Sequence, residues 1–162
     1  MGAVRLVCGL AAAIVLALSL AVHAAASDGI DVEAVTASVW WLHGASMLVF
    51  ALALVVTLRL AGGRSRSGEI FRLVPAWALV LIILALVYTL ANFVWLTGAT
   101  GAGVPIVGGG TFAFNDHGRI HEVSETAFHA ERAATVRLYS ALWLYLSLIA
   151  TLYLALARRV AD

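Results

Sequence analysis

Residues 73–96 read LVPAWALVLIILALVYTLANFVWL, 24 residues without a formal charge. They sit in a longer gap, because 43 residues separate Arg72 from Asp116 with no Asp, Glu, Lys or Arg between them. A helix crossing a hydrocarbon core of ~30 Å needs about 20 apolar residues. The gap could hold two crossings by length, but its second half contains Gly98, Gly101, Gly103, Pro105, Gly108, Gly109 and Gly110. These would break a lipid-exposed helix and leave backbone groups unpaired. The gap therefore predicts one span over 73–96. Pro75 falls in its first turn, where a missing N–H costs little.

Shorter charge gaps place the other spans. There are 22 residues between Arg5 and Asp28, 25 between Glu33 and Arg59, and 20 between Arg137 and Arg158. Together they predict an all-α integral membrane protein, a single membrane domain over 1–162 with four transmembrane helices at about 5–22, 39–60, 73–96 and 135–157. Composition points the same way: 63% of residues are hydrophobic and 12% charged, with a mean hydropathy of +1.00. Soluble domains run near half apolar and a quarter charged. A soluble globular domain, a disordered tail and a disulfide scaffold are excluded, and the lone Cys8 cannot form an intrachain disulfide.

The first segment has two readings. Arg5, the apolar run over 6–22 and Ala24-Ala25-Ala26 before Ser27 also fit a secretory signal with its cleavage site. The length of the apolar run favours a retained helix. Cleavage would leave three spans with unchanged orientation.

Arginine sets that orientation. One side carries Arg5, Arg59, Arg64, Arg66, Arg72, Arg158 and Arg159, and the other only Arg119, Arg132 and Arg137. The bias predicts cytoplasmic N- and C-termini and a cytoplasmic 64–72 loop, as in a bacterial inner membrane. The lipid bilayer is then the first partner. A net charge of +1 gives no argument for nucleic acid.

The outward segment over 98–134 opens as a Gly-rich linker. Residues 111–114 alternate as a strand, Asn115-Asp116-His117-Gly118 is a turn signal, and 119–123 alternate again. A small β-hairpin resting on the bundle is predicted. Ser124 can cap a helix that runs through Phe128 into the fourth span. The Gly-rich run lacks the pattern of a phosphate-binding loop.

All five histidines map to the outward half, among Glu122, Glu125 and Glu131. Imidazole and carboxylate ligate divalent transition metals. His121 and His129 are the candidate pair, with Glu125 or His43 as third ligand. His43 is also the candidate cofactor residue, able to ligate a single haem b, with His23 facing it. No His-Glu-x-x-His protease motif is present. In the spans, Tyr88, Thr89 and Asn92 form a polar cluster expected to bond between helices. Arg137 is expected to pair with Glu131 or Glu33, or to reach headgroups. Trp143 and Tyr145 lie deeper and should face protein or a bound molecule. Gly44, Ala45 and Ser46 permit close packing beside His43.

No Asp, Glu, Lys or Arg sits mid-span, which argues against a pump or an ion-coupled transporter. Neither a nucleophile–base pair nor a cytoplasmic domain is legible, which weighs against an enzyme without excluding one. The reading favoured is a non-enzymatic accessory or assembly subunit that binds other membrane protein subunits. The alternative is a membrane protein binding a metal ion or a single haem through outward histidines. Cysteine labelling at positions 67 and 117 tests the topology: opposite sides are expected, and labelling from one side contradicts it.

Overall fold

The computed structural model describes residues 2–60, 74–99, 104–108 and 111–156. Four of its helices are long and apolar enough to cross a membrane. They are α1 (Gly2–Ser27), α3 (Trp41–Leu60), α4 (Ala76–Ala99) and α5 (Glu125–Leu156). Between α1 and α3 lie one turn of helix, α2 (Val32–Val35), and a 3-10 turn over Ala37–Trp40. Between α4 and α5 lie β1 (Val104–Gly108), β2 (Thr111–Asp116) and β3 (Arg119–Val123), an antiparallel sheet in that order. The expected 64–72 loop, residues 100–103 and 109–110 of the Gly-rich stretch and the final arginines lie outside the described residues.

The four long helices fall where the charge gaps put them, the first and third with later ends. The first helix runs to Ser27 instead of 22, because a Schellman turn stops it. Ile30 N–H donates to the Ala25 carbonyl (3.0 Å), Gly29 N–H to that of Ala26 (3.2 Å), and Gly29 takes the required positive φ of 80°. Asp31 then caps α2, accepting from Ala34 N–H at 3.1 Å. The third span continues through Gly98 to Ala99, three residues past the expected 96. One expectation fails outright in part of its length: the Gly-rich linker contains β1, paired with β2 from Val104↔Asn115 to Gly108↔Thr111.

The β2–β3 hairpin forms as read. His117 (φ 50°) and Gly118 (φ 89°) both have positive φ, the conformation of a two-residue type I′ turn. Asn115 Oδ1 accepts from Gly118 N–H at 2.7 Å. Ser124 Oγ accepts from Ala127 N–H at 3.2 Å and caps α5. At 1.5 Å per residue the 32 residues of α5 extend about 48 Å, well beyond a hydrocarbon core of ~30 Å. Its first turns therefore project past the other helices and carry the sheet.

Helix α5 is the wall the others share. Ala12 and Val15 of α1, Val49 and Ala53 of α3 and Ala150 and Leu154 of α5 form one buried cluster. Val74 and Ala78 pack on Leu152 and Tyr153 in a second, and Val39 and Leu42 on Trp143 in a third. Small side chains let the α1 and α5 backbones approach closely: a Cβ placed on Gly9 would lie 3.6 Å from Leu154 Cβ. Arg5 completes the seam by donating from Nε to the Leu154 carbonyl (2.5 Å) and from Nη2 to that of Ala155 (3.0 Å). A cation there offsets the negative end of α5.

Candidate functional site

The polar side chains of the bundle collect at the end that carries the sheet. Elsewhere Ser46 bonds to the Leu42 carbonyl of its own helix, Thr57 to that of Ala53 and Ser147 to that of Trp143, while the fully buried Ser19 of α1 has no partner among the described residues. At the sheet end the bonds run between helices instead.

His23, one turn before the end of α1, is buried and uses both ring nitrogens. Nδ1 meets Ser140 Oγ of α5 at 2.9 Å, and Nε2 meets the Tyr88 hydroxyl of α4 at 2.5 Å. Ser140 also donates to the Arg137 carbonyl (3.1 Å), which fixes the direction of the chain. Ser140 accepts from His23 Nδ1–H, and His23 Nε2 accepts from Tyr88 O–H. Close by, Asn92 Nδ2 donates to the same Arg137 carbonyl (3.3 Å), and Thr89 Oγ1 to that of Ala141 (3.2 Å). Three helices are thus tied across one layer. Ser140 and His23 are within bonding distance, a pairing the sequence reading did not see. It is not arranged for nucleophilic attack, since the serine proton points to a carbonyl and Ser140 is fully buried.

His43 occupies a second cluster. Trp143 Nε1–H donates to His43 Nδ1 at 3.0 Å. The neutral ring then carries its proton on Nε2, so neither nitrogen presents a lone pair to a haem iron. His23, its expected counterpart, has both nitrogens engaged. Trp40 packs edge-on against Tyr139 (5.3 Å) and Trp143 (5.8 Å), so both Trp40 and Tyr139 belong to this cluster. Trp143 is fully buried, as expected of a deep indole. Tyr145 lines an apolar groove of 250 Å³ with Phe50 and Thr57 of α3 and Ile82 of α4.

A third cluster locks α2 to the start of α5. Asp31, at the start of α2, is buried. Its Oδ2 accepts from His129 Nδ1 at 2.6 Å and lies 3.3 Å from Arg132 Nε. That second contact is an ion pair only, because the Arg132 Nε–H is not aimed at the carboxylate. Arg132 Nη2 lies 3.4 Å from Glu33 Oε2, and the guanidinium stands 5.5 Å from the centre of the Phe128 ring. Arg132, which sequence reasoning did not single out, thereby takes the acid expected for Arg137. The pattern Asp31-Val32-Glu33 before a turn, with Arg132 three residues after His129, was the available signal.

The proposed metal ligands are spread across these features. Glu125 Oε1 lies 4.0 Å from His129 Nε2, the expected i, i+4 neighbour. His121 is exposed on β3, opposite Phe114. His43 belongs to the tryptophan cluster. Among the described residues, no three His, Cys, Asp or Glu side chains are grouped to hold a metal ion. Comparison of the chain with family models, curated proteins and solved structures finds no match.

The sheet is held by aromatic packing. Phe112 and Phe114 lie on one face of β2 and meet the fully buried Phe128 at 5.2 and 5.1 Å. Truncating a buried Phe costs about 3–5 kcal/mol. Phe128→Ala should therefore free the sheet, accelerating proteolysis within 104–123 while the helical fragments stay intact. An unchanged cleavage rate would show that this contact does not hold the sheet.

Proposed function

We propose that this chain is an integral protein of a bacterial inner membrane, with the sheet outward and both termini cytoplasmic. In that membrane it serves as a non-enzymatic accessory or assembly subunit of a larger complex. The orientation rests on the seven-to-three arginine bias. The non-enzymatic reading is supported by the use of His23, Ser140, Tyr88, His43 and Trp143 as ties between helices.

The observation that carries the subunit reading is the isolation of α4. Only 11% of its apolar window is buried within the chain, against 39% for α5. Its packing is mainly against α5, and its tie to α1 is the Tyr88–His23 hydrogen bond. Ile83, Leu84 and Val87 are each 58% exposed. A contiguous apolar face of this kind suits van der Waals packing against another protein's helix, which drives helix association in lipid.

Photo-crosslinkers placed at Ile83 and Val87, activated in native membranes, test this. A discrete adduct with one other subunit, recovered in constant ratio and absent when the crosslinker is moved to Arg119, is expected. Adducts with lipid alone, or only with a second copy of this chain, would overturn the subunit reading.

A further inference from the structure

Arg137 is a cation of α5 that the ion pairs around Arg132 leave over. Asp31 and Glu33 are taken by Arg132, and Asp31 also by His129. Among the described residues Arg137 enters no ion pair. Its Nε is shut off from solvent without a hydrogen-bond partner, although the residue as a whole is only half-buried. A guanidinium left like this in apolar surroundings is costly unless an anion meets it.

Its depth says where the anion would come from. Nineteen residues separate Arg137 from Leu156 at the far end of α5. At 1.5 Å per residue that is about 29 Å, close to the thickness of a hydrocarbon core. Arg137 thus stands where the acyl region meets the headgroups of the leaflet on the sheet side. His23 of α1 lies beside it, and Asn92 of α4 reaches its carbonyl. The Tyr88 hydroxyl closes the same layer. Polar side chains of α1 and α4 therefore meet α5 at the level of Arg137.

We propose that Arg137 anchors a phospholipid site: its guanidinium takes the phosphodiester oxygens of an anionic phospholipid lying against α5 at the level of the His23–Tyr88 hydrogen bond. The planar guanidinium fork matches two phosphate oxygens, and Arg exceeds Lys at such sites because it binds them in a bidentate manner. The site rests on the reading that the bundle lies in a bilayer.

Native mass spectrometry of the protein from nanodiscs of mixed phosphatidylglycerol and phosphatidylcholine tests it. Wild type should retain one phosphatidylglycerol through a detergent exchange. A charged hydrogen bond contributes about 1.5–3 kcal/mol, so Arg137→Gln should lower that retention about tenfold or more. Arg137→Lys should fall between, and Arg119→Gln, an exposed change on β3, should match wild type. Saturable binding of inorganic phosphate to lipid-free protein would assign the site to free phosphate and overturn the lipid proposal. So would a wild type that retains no phosphatidylglycerol, or equal retention by Arg137→Gln. If Arg137→Gln does not fold, wild-type retention and Arg137→Lys decide the matter. Failure of the wild type to enter nanodiscs at all would instead overturn the membrane reading.

Discussion

The seam between α1 and α5 holds the rest of the structure in place. Gly9, Ala12 and Val15 bring the two helices close along one half, against Ala150 and Leu154. Arg5 closes one end on the last described carbonyls of α5, and His23 closes the other on Ser140. Apolar surroundings offer helices little hydrophobic gain on association, so close packing and interhelical hydrogen bonds must supply the affinity. Helix α3 packs into this seam through Val49 and Ala53, and α4 leans on the opposite flank of α5. The extra length of α5 then gives the sheet a large apolar support, Phe128.

This arrangement explains why the polar residues sit where they do. A helix interior satisfies its own backbone, so serine and threonine hydroxyls can fold back on the preceding turn without a partner helix. Histidine, asparagine and tyrosine cannot, and at one level His23 bonds to Ser140 and Tyr88 while Asn92 bonds to the Arg137 carbonyl. The same layer positions Arg137 without supplying its counter-charge. A scaffold with a headgroup-level cation and one bare helix is a consistent description of a protein that meets both lipid and another subunit.

Much of this was legible in the sequence because membrane spans are coded by long charge gaps. The hairpin was legible because His117-Gly118 supplies two residues that accept positive φ, between alternating strands. Strand β1 was not: with Pro105 and Gly108 in five residues it carries no alternation, and it pairs along the edge that β2 offers. The end of α1 depended on one glycine two residues past it. The histidines were placed at the correct end by chain position alone, but their roles depend on which helices adjoin α1. The burial of Asp31 was not legible because it is imposed by His129 and Arg132, about 100 residues away. Arg132 and Arg137, five residues apart on one helix, compete for the same acids, and only the rotation of α5 decides between them.

The central claim is that α1 is a built-in element packed on α5, and a crosslink measures it directly. A Cβ on Gly9 would stand 3.6 Å from Leu154 Cβ, inside the ~3.5–4.5 Å range of disulfides. The pair Gly9→Cys with Leu154→Cys, in a chain with Cys8→Ser, should close an intrachain disulfide nearly completely on mild oxidation in membranes. A pair that stays reduced, that links only separate chains, or that is missing because residues 1–26 have been removed would contradict the account.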